Sequence, residues 1–319
     1  MKLVLTGSIA FDYLMRFPGR FRDHLLPDQL DSISVSFLVE ELTRERGGVA
    51  ANIAFSLALL GERPILMGTV GRDFAEYRVW LEEHGVDTSA VRVIPEVFSA
   101  SFFANTDSEN NQIGSFYTGA MAYSKGYTLA EAVDELPDLA VISPSDPVAM
   151  NELADECQSL GVPFLYDPSQ QVIWLEADDL MPGIERCHML IVNEYEWGMI
   201  AKKTGLARET LIEQGKTLII THGNEGSHIY AGGEHYHVPV CPVTNIADPT
   251  GVGDAYRSGL LKGIVSGFGW ELAGQIGAVT AAFVLECKGT QNHSFTLSEF
   301  VQRFRTVFDD DGALDSWVG

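Results

Sequence analysis

Residues 246–259 read Ile-Ala-Asp-Pro-Thr-Gly-Val-Gly-Asp-Ala-Tyr-Arg-Ser-Gly. Gly251 and Gly253 let the backbone turn tightly, so the amides of Gly251, Val252, Gly253 and Asp254 can point into one concavity at the start of a helix-forming run. Such a nest, with the positive end of a helix dipole behind it, suits an anion. Asp254 adds a carboxylate beside that anion site. The pairing is repulsive for binding alone, but it makes sense where the carboxylate takes a proton from a hydroxyl attacking phosphorus. Spacing leaves a second role open, in which Asp254 caps the helix and the glycines only permit the turn. Two other phosphate motifs fail. Gly215-Lys216-Thr217 ends like a P-loop, but Thr210 stands at the first glycine position and the triplet precedes a strand. The dinucleotide fingerprint fails because Tyr256 occupies its third glycine.

Any anion held here is caught locally, because the chain as a whole repels one. Its 319 residues carry a formal net charge of -23, which argues against nucleic acid or an anionic membrane as partner. At 46% hydrophobic and 20% charged, the composition is that of a globular protein with one large domain and an appendage. Cys157, Cys187, Cys241 and Cys287 are far apart and form no CxxC pair, which fits reduced thiols. The opening MKLVL is interrupted at once by Thr6-Gly7-Ser8, and no apolar run reaches the length of a membrane span. The expectation is a cytoplasmic protein.

The elements that must position the motif alternate. Strands are expected at Lys2–Thr6, Arg63–Val70, Asp138–Ser143, Val162–Asp167, His188–Val192 and Thr217–Thr221. Helices are expected at Val49–Leu60, Phe74–His84, Ala149–Leu160 and Glu194–Thr204, and a hairpin turns at Gly232-Gly233. This rhythm predicts an α/β fold, a mostly parallel sheet covered on both faces. Two segments break it: Asp31–Leu38, where Ile33, Val35 and Phe37 alternate with serines, and Ser99–Tyr117, two strands around Asp107–Asn111. Period-two patterning predicts half-buried strands, read here as a small β-sheet lid. The expected division is an α/β body at 1–10, 49–98 and 119–319, with the lid at 11–48 and 99–118. Gly259, Gly263 and Gly267 recur every fourth residue, a stripe that predicts close packing along one helix face. His222, His228, His235 and His237 read as side-by-side surface residues of the hairpin rather than zinc ligands.

The motif DPTGVGDAYRSG resembles the second signature of the ribokinase-like (PfkB) carbohydrate kinases. Arg46-Gly-Gly-Val-Ala-Ala-Asn52 is similar to their first signature. Asn193-Glu-Tyr-Glu196 is similar to their Asn-x-x-Glu element, and Thr221-His-Gly-Asn-Glu-Gly226 to their T-x-G-x-x-G nucleotide loop. All four stand in the family order across nearly the whole chain. Gly7–Phe21, His24–Leu30, Tyr166–Gln171 and Asn193–Trp197 further resemble the actinobacterial type of bacterial adenosine kinase, with Trp174 standing where a basic residue is expected.

The resemblance implies a ribokinase-like fold and transfer of the ATP γ-phosphate to the 5′-hydroxyl of adenosine. A sugar kinase or broad nucleoside kinase is the alternative, and a non-catalytic nucleoside-binding protein is a further one. Asp254 would be the base, and the turn through Gly251, Val252 and Gly253 the anion hole. Asp12, placed at the end of the first strand, would accept two hydroxyls of the ribose, with Gly48 and Asn52 against the same sugar. Phe102 and Phe116 on the lid strands would stack on the purine. Ser8, Ser36 and Gln171 would supply polar contacts to the nucleoside. Asn193, Thr221, Gly223 and Gly226 would hold ATP. Glu196 and Asp248 would organise Mg²⁺ through water. A homodimer through the lid is the implied assembly.

Overall fold

The computed structural model describes residues 1–24 and 34–318. Among them, continuous apolar runs become the inner strands of a large sheet. Its members are β1 (Leu3–Thr6), β4 (Ile65–Gly71), β5 (Val91–Ile94), β8 (Leu139–Ile142), β9 (Phe164–Tyr166), β10 (Met189–Asn193), β11 (Thr217–Thr221), β12 (Ser227–Ala231) and β13 (Glu234–Val238). The strand order is β13-β12-β11-β10-β9-β8-β1-β4-β5. Pairing is parallel from β11 through to β5 and antiparallel at β12 and β13. Such strands read as unbroken apolar runs because both faces are covered. Alternate residues accordingly divide between two cores: Leu3, Leu5 and Val141 join one, and Val4, Ala140 and Ile142 the other.

Helices fill the connections: α1 (Val49–Leu59), α2 (Ala75–Glu83), α3 (Leu129–Ala132), α4 (Pro147–Leu160), α5 (Ala177–Arg186), α6 (Glu194–Thr204), α7 (Arg208–Glu213), α8 (Val252–Val265), α9 (Trp270–Leu285) and α10 (Leu297–Arg305). Ile53, Leu260 and Ile276 pack α1, α8 and α9 into the first core, while Leu153, Leu180 and Ile200 pack α4, α5 and α6 into the second. α4 starts two residues before the expected Ala149, because the Asp146 side chain accepts the amides of Val148 and Ala149 with Pro147 inside the first turn.

A second sheet is built from β2 (Ala10–Arg16), β3 (Glu41–Gly47), β6 (Ala100–Thr106) and β7 (Gln112–Tyr117), in the order β3-β2-β6-β7. β6 and β7 flank the expected turn at Asp107–Asn111. The first lid strand differs from expectation. Of Asp31–Leu38, residues 31–33 lie outside the described residues, as do 25–30 of the His24–Leu30 match, and 34–38 are irregular. The strand is Glu41–Gly47 instead, which pairs with β2 along its whole length and leads directly into α1. Phe37 does not take a place in a pleat. It packs on Phe17, Phe21 and His24.

Asp12 is the second correction. It does not end the first strand: β1 stops at Thr6, and Asp12 sits within β2 of the small sheet. The glycine stripe also shortens. Gly259 and Gly263 lie on α8, where a Cβ would come within 2.7 Å of the Gly277 Cα and 2.5 Å of the Ala273 Cβ on α9, respectively. Gly267 lies past the helix in a turn at φ +75.

Candidate active site

The inner strands run parallel, so the segments after β1, β8, β9, β10 and β11 all leave the same edge of the sheet, where ligands bind in open α/β sheets. Asn193 and Thr221 end β10 and β11 and are in register with each other, so the Asn-x-x-Glu and T-x-G-x-x-G elements stand side by side. Asn193 and Glu196 form a capping box on α6: the Asn193 Oδ1 accepts the Glu196 amide at 2.8 Å, and the Glu196 Oε2 accepts the Asn193 amide at 2.8 Å. Gly223 and Gly226 shape the turn after β11 with φ of 57° and 91°.

Asp254 lies in the first turn of α8 and does not cap it. The cap is Gly251, at φ 79°, with no side-chain cap bond. A Cβ there would meet the Thr290 side chain at 2.8 Å. Val252 opens the helix, and the amides of Gly253 and Asp254 fall in the turn where a helix offers no intrahelical acceptor. The Asp254 Oδ2 instead accepts a hydrogen bond of 2.8 Å from the Asn52 Nδ2, a residue 202 positions earlier. Asp254 is 9% exposed. Burial raises its carboxyl above the usual range, the Glu196 charge pushes the same way, and Arg257 and Asn52 pull it back.

Asn52 is engaged at both ends of its amide. The Gln291 Nε2 donates to its Oδ1 at 2.9 Å and also to the Tyr77 hydroxyl, which donates to the Gly47 carbonyl at 3.0 Å. Hydrogen bonds therefore lead from Asp254 to the Gly47-Gly48 turn. Asn52, which the resemblance set against the sugar, bonds both Asp254 and Gln291. At Gly48, φ is 96° and a Cβ would stand 2.5 Å from the Ser8 carbonyl, so only glycine fits. The Ser8 Oγ accepts the Val49 amide at 3.0 Å.

Cross-strand register sets Asp12, Glu45, Phe102 and Phe116 in one row on one face of the small sheet. Burial raises the Asp12 carboxyl to about 6, and the charges of Glu45, Asp254 and Asp248 add to the rise. Phe116 is 52% exposed on β7.

The remaining expected residues are less closely drawn in. Ser36 is exposed in irregular chain. The Gln171 Nε2 donates to the Ser145 carbonyl after β8. Trp174 is 79% exposed. Asp248 ties the loop before α8, with its Oδ1 accepting the Thr250 amide at 2.9 Å and its Oδ2 the Gly289 amide at 3.1 Å. His228 stacks with His235 and His237, edge-on to His222. Among the described residues, no cluster of His, Cys, Asp or Glu has the arrangement of a direct metal site.

Three residues of the site went unassigned in the sequence: Gln291, Asp167 and Arg257. Asp167 follows β9 and is 0% exposed, and Arg257 on α8 is 7% exposed. The Arg257 Nη2 donates to the Asp167 Oδ1 at 2.8 Å, and its Nε lies 2.6 Å from Oδ2.

The carboxylate excess bears on the expected Mg²⁺. The Glu196 charge acts on both Asp254 and Asp167, and Arg257 is the cation beside them. A polyphosphate entering here needs further positive charge, which fits a divalent cation with its hydration shell. Glu196 fits as a holder, since the capping box uses only its Oε2. Asp248 fits a contact through water, since each of its oxygens already accepts a backbone amide.

A parallel sheet with a glycine turn, helix N-terminus and buried carboxylate at its ligand edge, facing a small β-sheet, defines a phosphoryl-transfer architecture. The pfkB family carbohydrate kinase model matches residues 12–296, and the chain belongs to that family. It is 31% identical over 306 residues to a nucleoside kinase of Methanothermobacter thermautotrophicus, covering 95% of each chain. The solved nucleoside kinase of Burkholderia thailandensis with inosine superposes at a TM-score of 0.86 with 36% identity, over 96% of this chain and 97% of that one. The same enzyme with ADP-inosine superposes at 0.83 with 38% identity, over 96% of each chain. The fold is ribokinase-like. Among the described residues, no helix is long and apolar enough to cross a membrane.

Proposed function

We propose that the chain is an ATP-dependent nucleoside kinase that phosphorylates the 5′-hydroxyl of purine nucleosides, inosine and adenosine among them. The observation that carries this reading is Asp254: buried at the N-terminus of α8, not spent on capping, and held by Asn52. The acceptor oxygen forms its bond to the γ-phosphorus as the bond to the β-bridging oxygen breaks, releasing ADP. The hydroxyl proton passes to an oxygen of Asp254. The amides at the turn through Gly251 and Gly253 face the phosphoryl oxygens. Mg²⁺, when bound with ATP, neutralises phosphate charge, and Glu196 and Asp248 would hold it through water. Asn193, Thr221, Gly223 and Gly226 would hold the nucleotide.

Asp12 would accept the ribose hydroxyls, with Ser8 and Gly48 beside it. Half-buried Phe102 and exposed Phe116, in the same row, offer the base an aromatic face, which supports a base-bearing acceptor over a free sugar. The nucleoside kinases reported above support this breadth, so adenosine is treated as one acceptor within a class. A cytoplasmic location and a homodimer through the small sheet complete the proposal. The test is Asp254→Asn assayed for binding and turnover separately. The variant is expected to bind inosine within about threefold of wild type while kcat falls on the order of 10³-fold. A kcat within about tenfold of wild type would reject the proposed base.

A further inference from the structure

Arg257 lies one turn beyond Asp254 on α8, and its guanidinium lies between two carboxylates. Two of its nitrogens face Asp167, at 2.8 and 2.6 Å. The third, Nη1, reaches back under the anion-hole turn: a Cβ on Gly253 would stand 2.7 Å from it. The same nitrogen lies 3.8 Å from the Asp254 Oδ1. Each oxygen of Asp254 therefore has its own neighbour, Asn52 at Oδ2 and Arg257 at Oδ1. Gly253 is thus required by more than the turn, because any side chain there would displace the guanidinium.

A buried ion pair is a poor stabiliser, since desolvation offsets most of its attraction. A pair this deep at the edge of the sheet calls for another reason, and the surrounding charges supply one. The Glu196 charge acts on Asp254, and the Asp254 charge acts in turn on Asp167 and Asp12, while Arg257 lies between Asp167 and Asp254 as the cation. Remove that cation and burial plus repulsion favour a protonated Asp254, which cannot take the proton of an attacking hydroxyl.

We propose that Arg257, braced by Asp167, is a positioning residue for Asp254, fixing the direction of its carboxylate and keeping it ionised. The proposal rests on the kinase reading and adds to it a residue pair that acts through the base without touching the acceptor. Asp167 is the brace because its fork on Nε and Nη2 leaves Nη1 a single direction in which to point.

The test uses full-length protein with Mg·ATP and inosine, following ADP release as a function of pH. Arg257→Met is expected to lower kcat on the order of 100-fold, with the inosine KM within about threefold of wild type. The acid limb of its kcat profile moves to higher pH, the direction in which losing a neighbouring cation shifts a carboxylate. Arg257→Lys keeps the charge without the fork and is expected to regain part of the rate, about tenfold over Arg257→Met. Arg257→Met leaves Asp167 buried without a partner and can fail to fold, so the double variant Asp167→Leu/Arg257→Met, which exchanges the pair for apolar side chains, decides the matter. The same kcat loss and shifted acid limb in the folded double variant support the proposal. Wild-type kcat and an unmoved limb overturn it and leave the pair a structural tie between the β9 end and α8. A wild-type protein silent on every nucleoside would instead remove the kinase reading, and the proposal with it.

Discussion

The face of the small sheet that carries Asp12 and the N-terminus of α8 that carries Asp254 are built in opposite ways. Asp254 sits in a closed network in which every polar neighbour has a second partner: Asn52 holds Gln291, Gln291 holds Tyr77, and Arg257 holds Asp167. The face that carries Asp12 opens outward: Asp12, Glu45 and Phe102 are half-buried, and β7, with Phe116, is exposed along its whole length. Chemistry needs atoms fixed before the substrate arrives. Recognition of several bases needs surface that is completed by the base itself. Changes on the first side should appear in kcat, and changes on the second in KM.

The largest effect expected on the open side is at Asp12. Asp12→Asn cannot accept two hydroxyls at once, and the inosine KM should rise on the order of 100-fold or more while kcat stays within about threefold. A matching loss in kcat would show that the two sides are not separable. On the closed side, Gly253→Ala pushes a methyl into the Arg257 guanidinium, and kcat should fall about 10- to 100-fold without a comparable change in KM. Phe116→Ala removes one aromatic from the Asp12 row. Loss of about 1–3 kcal/mol of stacking would raise the KM for nucleosides, with ribose unaffected.

The smallest effect is that of pH. Burial and neighbouring carboxylates set Asp12 at about 6, above its unfolded range. Below that value the free protein carries Asp12 protonated, able to donate one hydrogen bond but no longer to accept two. Nucleoside KM should therefore climb by up to about tenfold per pH unit as pH falls below about 6, and binding at pH 6 should release protons, measurable by calorimetry in two buffers. The stability term has the opposite sign. A raised carboxyl pKa means the folded state binds the proton more tightly, so Asp12 detracts from stability above about 6 and this cost fades as pH falls toward 4.

The sequence disclosed the two sides unequally as well. The ends of β10 and β11 could be read directly, because Asn193 and Thr221 follow apolar runs and the capping box of α6 is local, with Glu196 three residues from Asn193. The glycine turn ahead of Asp254 was legible for the same reason. What held Asp254 was not: Asn52, Gln291 and Arg257 make their contacts across 202, 239 and 90 residues, and no periodicity encodes such pairs. Asp167 and Arg257 each stood inside a quoted motif without a role, since an acid and a base far apart in the chain look like surface charges until the fold buries them. On the open side, the alternating Ile33, Val35 and Phe37 suggested a strand, but Phe37 serves an aromatic cluster with Phe17 and Phe21. The strand that flanks β2 at the edge of the sheet is the charged run Glu41–Gly47, whose side chains hid it from a hydrophobic pattern.

A single competition measures the central claim. Wild-type protein is mixed with Mg·ATP and equimolar inosine, adenosine and ribose, and products are resolved by phosphorus NMR and mass spectrometry. Nucleoside 5′-monophosphates should form in amounts equal to the ADP released, with ribose left unphosphorylated. Ribose phosphate as the main product, or ADP without any nucleoside monophosphate, would contradict it.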